Sequence, residues 1–314
     1  MLPDTRQAEA LLAIIDTGSF EQAAALLHVS ASAVSQRVSA MEVALGTPLV
    51  IRSRPCRPTS AGQRLVQYLR RSKLLEEEFL SGLQEDDARP LSVSLAVNND
   101  TLGTWLLPGL APFLIAENIL LDLSLDDQDH TYTLMERGQA LAAISTEAQP
   151  MRGCVAQPLG VMRYRMMATP AFAARWFPDG LGRQAALKAP MMVFDRKDLL
   201  QANFMQREFG LLPGSHPCHY VPANESFLRC IDLSMGYGMV AEQQFGDRLA
   251  SGALIDLAPG KHTDVALYWH TWRVQSPRLE RLSAAILEAG RRGLLPSPPA
   301  GHDAQPAQQA QPRA

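Results

Sequence analysis

The sequence predicts a multidomain fold. An α-helical winged helix-turn-helix comes first, then one long linker helix, then an α/β region of two Rossmann-like subdomains. Three observations predict it. Residues Ser19 to Val38 read as two short helices, each opened by a serine cap, with only a sharp corner between them. A long helical stretch from about 60 to 84 follows an Arg/Pro-rich segment. From about residue 91, strand-like and helix-like segments alternate almost to the end. The chain has 314 residues, too many for one core, so two or three units are expected.

The elements follow in order. Ala8, Leu11, Leu12 and Ile15 recur at helical spacing over about 5–17, and Gly18 supplies a left-handed end. Ser19 caps the second helix with Gln22 as its capping-box partner, and Ala23, Ala24 and Leu27 form its packing face. Ser30 caps the third helix, Val34, Val38, Met41 and Leu45 form its buried stripe, and Gly46 ends it. Pro48 to Pro58 suits a short hairpin wing. Thr59 caps the long helix, where Leu65, Ser72 and Phe79 alternate with Tyr68, Leu75 and Gly82 at heptad positions. That seam reads as a dimerisation surface; packing on its own domain is the alternative. Glu85-Asp86-Asp87 and Pro90 close the linker.

Beyond it, strands are expected at Leu91–Val97, Ile119–Leu125, Ala140–Ser145, Tyr164–Ala168, Met191–Phe194, His219–Val221, Gly238–Ala241, Leu254–Leu257 and Val265–His270. Helices are expected at Trp105–Glu117, Tyr132–Arg137, Ala171–Trp176, Leu199–Phe209, Ser226–Met235 and about 277–292. The alternation implies parallel sheet. The Pro/Ala/Gln-rich tail from Pro296 is expected to be disordered.

Composition narrows the function classes. Net charge is −3, yet Arg52, Arg54, Arg57, Arg64, Arg70, Arg71 and Lys73 fall in a stretch from Glu42 to Glu76 that holds no acid in between. A basic stripe beside a helix-turn-helix is the footprint of a phosphate-contacting surface. No apolar run is long enough to span a membrane and no signal segment opens the chain, so a cytoplasmic location is expected. Cys56, Cys154, Cys218 and Cys230 lie far apart and read as thiols rather than zinc ligands or disulfides. His130, His219, His262 and His270 are scattered. There is no Gly-x-Ser-x-Gly, phosphate loop or metal-ligand cluster, so no enzyme, cofactor or metal is expected. A bare solute-binding protein would carry an export signal and no helix-turn-helix.

A helix-turn-helix places its second helix in the DNA major groove. Ser30, Ser32, Ser35, Gln36 and Ser39 would then present short polar groups to base edges, with Gln36 able to bond adenine bidentately. Arg37, Arg52, Arg54 and Arg57 would hold phosphates.

The order of parts, with Leu45-Gly46-x-x-Leu49-x-x-Arg52 and Pro58-Thr59-x-Ala61-Gly62, resembles the LysR-type transcriptional regulators. Longer runs resemble that family's lysine- and arginine-sensing ArgP/LysG branch. They include Leu74-Leu75-Glu76-Glu77-Glu78, Ala96-Val97-Asn98-Asn99-Asp100, Thr104-Trp105-Leu106-Leu107-Pro108, Pro217-Cys218-His219, Ala250-Ser251-Gly252-x-Leu254-Ile255-Asp256-Leu257 and Leu267-Tyr268-Trp269-His270. Gln128-Asp129-His130-Thr131-Tyr132 depart from the branch pattern. So does Ala241-Glu242, where a proline-histidine pair is common.

The resemblance implies a transcription factor with a periplasmic-binding-protein-like effector domain and a ligand in the cleft between subdomains. It implies double-stranded operator DNA, a small effector (a basic amino acid in this branch) and self-association as homodimer or homotetramer. RNA polymerase is a further candidate partner, and no membrane is involved. Control of a basic amino-acid exporter is typical of the branch. The domains would be 1–59 for DNA, 60–88 for the linker, 89–295 for the effector and 296–314 for the tail. Subdomain I would comprise about 89–161 and 268–295, and subdomain II about 162–267.

Open α/β sheets bind ligands at the C-terminal ends of strands. The candidates there are Asn98, Asp100, Thr101, Asp126, Asp127, Ser145, Asp195, Asn224, Glu225 and Ser226, with Trp105 as a wall. Backbone N–H groups near Thr101 or Ser145 would suit a carboxylate. The acids Asp100, Asp126, Asp127, Asp195 and Glu225 would suit a guanidinium or ammonium tail. Residue types alone leave lysine, arginine, or an aromatic or dicarboxylic acid open as effectors.

Overall fold

The computed structural model describes residues 4–83, 90–125 and 131–297. Its N-terminal unit packs α1 (Thr5–Thr17), α2 (Phe20–Leu26) and α3 (Ala31–Leu45) around one small core. Leu11 and Ile14 of α1 meet Ala23 and Ala24 of α2 and Val34, Val38 and Met41 of α3. The alanines let the helices approach closely, which sets the corner of the helix-turn-helix. Gly18 and Gly46 end α1 and α3 at φ of 68° and 65°, left-handed positions that suit a residue without Cβ.

Two local expectations are corrected. Ser19 accepts from the Gln22 amide, but its hydroxyl donates to Glu21 at 2.7 Å, so the serine alone caps α2. Leu45 is 39% exposed rather than buried. It lies past Met41 in the last turn, and Leu49 and Val50, returning after Gly46, fill the core there instead.

The wing is a short antiparallel pair, β1 (Val50–Ile51) and β2 (Arg57–Pro58). Thr59 Oγ1 accepts from the Gly62 amide at 3.0 Å and donates to the Pro48 carbonyl at 2.7 Å, starting α4 (Ser60–Leu83). A Cβ on Gly62 would sit 2.0 Å from the Leu49 carbonyl oxygen, so only glycine lets α4 lie against the wing.

The long helix is shared between units. Val66 and Leu69 belong to the N-terminal core, and Leu74 to the C-terminal one. Gln67 donates to the Glu136 carbonyl at 2.6 Å, and Arg70 bonds both Asp16 and the Gly138 carbonyl. The Arg71 guanidinium lies 4.2 Å from the Trp272 ring centroid. One side of α4 therefore packs on its own chain. Tyr68, Leu75 and Phe79 remain exposed on it.

In the C-terminal unit β3 (Leu91–Val97) leads into α5 (Asn99–Thr101), a π-helical segment (Leu102–Leu106) and α6 (Leu107–Ala116). These form one continuous helical run that starts earlier than the expected Trp105. Then follow β4 (Ile119–Leu125), α7 (Thr131–Glu136), β5 (Ala142–Ser145), β6 (Cys154–Ala168), α8 (Pro170–Trp176), α9 (Arg183–Ala186) and β7 (Met191–Val193). The chain continues through α10 (Leu200–Phe209), β8 (Cys218–Tyr220), α11 (Asn224–Asp232), β9 (Gly238–Ala241), α12 (Glu242–Phe245), β10 (Ile255–Asp256), β11 (Thr263–Trp272) and α13 (Pro277–Gly293).

The sheet is mixed, not parallel. Its order is β10-β6-β11-β5-β3-β4, with β9 also on β6 and a separate parallel pair β7–β8. Only β3 with β4 and β3 with β5 are parallel in the large sheet. The cause is the long antiparallel pair of β6 and β11, which runs through both lobes and carries the chain between them. The expected strand at Tyr164–Ala168 is only its last third. Pro158 and Gly160 interrupt the strand pattern at a bulge opposite Leu267 and Tyr268, a position where proline is tolerated. Trp269, Tyr164, Tyr237 and Phe204 are among the largest fully buried side chains; burying Phe204 alone contributes roughly 1.5–3 kcal/mol.

Candidate functional site

The exposed face of α3 carries the first candidate site. Ser30 Oγ accepts from the Ala33 amide at 3.1 Å, which fixes where the helix begins. Ser30, Ser32 and Gln36 are exposed; Ser35, Arg37 and Ser39 are half-buried, Ser35 and Ser39 on the flank beside the wing. Arg52 donates to Ser35 Oγ and Ser39 Oγ, both at 3.4 Å, and lies 4.9 Å from the Phe20 ring centroid. Arg52 thus ties the wing to α3. Arg54 and Arg57 are exposed on the wing.

Sequence reasoning missed Glu42. Its Oε1 accepts from the Leu49 and Val50 amides at 2.7 and 3.3 Å and so anchors the wing to the end of α3. Arg52, Arg54 and Arg57, the serines and one glutamine form a basic, polar surface on α3 and the wing.

The second candidate site is a cleft of about 550 Å³ open to solvent. Asn98, Asn99 and Asp100, at the end of β3, form one wall. Phe194, Asp198, Leu200 and Gln201, after β7, form the other. Tyr164, Asn224, Phe227, Met239 and Gln244 complete it. Asn98 Oδ1 accepts from the Thr101 amide at 3.2 Å and so starts the helical run.

Asp100 is the chemical centre of the cleft. Tyr164 Oη donates to its Oδ2 at 2.6 Å, and Gln244 Nε2 donates to its Oδ1 at 2.9 Å. It pairs with no cation among the described residues. The cleft leaves it half-exposed, yet protein atoms crowd the carboxylate, and that burial raises its pKa above the ordinary carboxylate value. Tyr164, Asn224 and Gln244 pull the other way. The Asn224 Nδ2 is buried and has no hydrogen-bond partner among the described residues, and Gln201 Oε1 is likewise buried and unpartnered. Such groups await a polar ligand or water.

Asp198 is the second acid of the cleft. It accepts from the Leu200 amide at 2.8 Å and from Gln201 Nε2 at 3.0 Å. Asp198, Gln201, Tyr164 and Gln244 were not singled out in the sequence.

Other expected cleft residues lie elsewhere. Asp195 accepts from the Lys197 and Asp198 amides at 2.6 and 3.0 Å, closing a turn. Ser145 is fully buried and accepts from the Glu147 amide. Glu225 and Ser226 face solvent on α11, because helix geometry turns them away from Asn224. Trp105 belongs to the core, where a Cβ on Gly293 of α13 would come within 2.4 Å of it. Thr101 is fully buried, its hydroxyl unpartnered among the described residues. Asp126 and Asp127 lie outside the described residues, as do 128–130, the Glu85-Asp86-Asp87 patch and 298–314. The four cysteines are free, and burial pushes the Cys154 thiol up to about 12. Among the described residues no group of His, Cys, Asp and Glu is placed to hold a metal ion, and no helix is long and apolar enough to cross a membrane.

A winged helix-turn-helix joined through a long helix to a two-lobed ligand cleft defines a ligand-responsive DNA-binding regulator. Residues 5–63 match the bacterial regulatory helix-turn-helix protein, lysR family, and residues 90–291 match the LysR substrate binding domain. The chain belongs to the LysR family of transcriptional regulators. It is 41% identical over 288 residues to the HTH-type transcriptional regulator ArgP of Aeromonas salmonicida, covering 91% of this chain and 96% of that one. Against ArgP of Escherichia coli K12 it is 41% identical over 292 residues, 93% and 98% of the two chains.

Among solved structures, ArgP from Mycobacterium tuberculosis superposes with a TM-score of 0.81 at 36% identity, over 94% of this chain and 99% of that one. Full-length LysG from Corynebacterium glutamicum, with bound effector Arg, gives 0.73 at 36% identity, over 92% and 99%.

Proposed function

We propose that this regulator takes a basic amino acid, lysine or arginine, in the cleft between its lobes, and that the bound effector governs DNA contact by α3. The observation that carries this reading is Asp100: a crowded carboxylate, facing a cleft, with no cation among the described residues beside it. A guanidinium or ammonium supplies the missing charge, and a charge-assisted hydrogen bond there is about twice as strong as a neutral one. Asp198 offers a second acid across the cleft. The amides of Asn98, Gln201 and Asn224 suit the amino-acid head group. Arginine in the related LysG supports this choice.

On the DNA side, Ser32, Ser35, Gln36 and Ser39 read bases from a helix fixed by Ser30. Arg37, Arg54 and Arg57 hold phosphates, while Arg52 both meets phosphate and positions the reading serines. The exposed stripe of Tyr68, Leu75 and Phe79 pairs two copies through α4. Domain limits near 59, 88 and 295 follow from this division of labour. The protein works in the cytoplasm on an operator, as a dimer or tetramer, with RNA polymerase as a further partner and no catalysis of its own.

A thermal-shift screen of lysine, arginine, aromatic acids and dicarboxylic acids tests the effector class. A ligand that binds only the folded state raises the melting temperature. Lysine or arginine is expected to do so. A shift with only a dicarboxylic or aromatic acid would overturn the assignment.

A further inference from the structure

Asp100 lies in the first lobe, but both groups that hold its carboxylate come from the chain beyond residue 162. The more informative of them is Gln244, on the short helix α12. Its Nε2 donates to Asp100 Oδ1 at 2.9 Å, and its Oε1 accepts from the Ala241 amide at 3.2 Å. Its neighbour Gln243 donates to the carbonyl of Gly293, at the end of α13, at 2.9 Å. The two glutamines therefore fasten α12 across the cleft at two points in the first lobe. Glu242 holds the same helix to β6 through an ion pair with Arg165 at 2.6 Å.

We propose that Gln244 is a positioning residue for effector recognition: it holds Asp100 Oδ1, and an effector cation displaces it on binding. This rests on the basic amino-acid reading above. The amide of Gln244 lies on the cleft side of Oδ1, where a cation would approach, so the two contend for the same space as well as the same oxygen. Tyr164 stays on the other oxygen, since it is fully buried on β6. Displacement frees α12 from the first lobe at one of its two fastenings, which turns occupancy of the cleft into a change between lobes. An effector without a cation leaves Gln244 in place. Part of the binding energy is then spent on breaking the resident contact, so a contact within the protein helps to set the affinity alongside the ligand's own contacts.

The Ala241 amide reports this event, because it is bonded to the Gln244 side chain. The experiment is hydrogen exchange at Ala241, with titration by arginine and lysine, on the full chain. The wild type is compared with Gln244→Ala and Gln244→Met. Gln244→Met keeps most of the side-chain bulk but cannot donate to Asp100, so it separates loss of the hydrogen bond from loss of packing. In the wild type, effector should speed exchange at Ala241. In Gln244→Ala that amide should exchange fast without effector and cease to respond. Both variants should bind effector roughly 3- to 10-fold more tightly, as loss of one competing hydrogen bond predicts.

Effector binding to the wild type with unchanged Ala241 exchange, or unchanged affinity in both variants, overturns the proposal and leaves the effector reading intact. If neither lysine nor arginine binds the wild type, the effector reading fails and the latch falls with it.

Discussion

The reading head and the effector cleft are built on opposite plans. On α3 and the wing, the polar side chains point outward, and Ser32, Gln36, Arg54 and Arg57 meet water. In the cleft the polar side chains point at one another: Tyr164 and Gln244 close on Asp100, and Gln201 on Asp198. The head can meet DNA as it stands. On the function proposed above, the cleft exchanges internal contacts for ligand contacts and acts as the switch, with the head as its output. Charge follows the same division. The head leaves its cations exposed for phosphate, whereas the cleft encloses an acid and opposes the cost with neutral donors.

The largest effect should come from the cleft. Asp100→Asn removes the charge an effector cation needs, so affinity for lysine or arginine should fall by about 30- to 1000-fold, the range of losing one partner of an enclosed pair. Calorimetric titration checks this, and near-wild-type affinity would break the contrast drawn here. The same substitution carries a pH signature. Crowding raises the Asp100 pKa in the folded state, so folding favours the protonated carboxyl relative to the unfolded chain. Its stabilising contribution is fully present below the unfolded carboxylate pKa and is lost as pH rises through the folded value. Asparagine cannot ionise, and Tyr164 can accept from it while donating to Met162 Sδ, 3.0 Å away. The unliganded variant should therefore melt higher than wild type above that window and no higher below it.

Next in size are substitutions that divide the head. Gln36→Ala should cost about 1–3 kcal/mol of discrimination between operator and scrambled duplex. Arg54→Ala should weaken both duplexes alike and lower the salt slope by about 0.9 for each lost phosphate contact. Arg52→Ala should do some of each, because Arg52 also orients Ser35 and Ser39. Binding isotherms at several salt concentrations separate the three, and equal losses on both duplexes for Gln36→Ala would remove it from base reading. The smallest effect is Ser30→Ala, which should lower head stability by about 1 kcal/mol through the lost cap. Exchange of the Ala33 amide reports it directly.

The same contrast explains what the sequence made legible. Ser19, Ser30, Thr59, Gly18 and Gly46 act on amides and carbonyls within a few residues, so their roles can be read locally. Wing strands and most effector-region elements follow from periodicity for the same reason. The cleft is different. Tyr164 reaches Asp100 across 64 residues and Gln244 across 144, and no local pattern marks either. Asp195 and Asp198 look equivalent in the sequence. The turn after β7 spends the first on its own amides and gives the second to the cleft. Glu42 was passed over because a surface acid on a helix usually meets only water, whereas here the returning wing brings two amides to it. The mixed sheet was hidden by Pro158 and Gly160, which made one long strand look like a late short one.

Fluorescence anisotropy of a labelled operator duplex, selected by the protein from a random pool, joins the two regions in one reading. The titration is run with and without arginine or lysine, for the wild type and for Asp100→Asn. The account predicts that effector changes the operator affinity of the wild type and leaves that of the variant unmoved. An equal effector response in both proteins would contradict it.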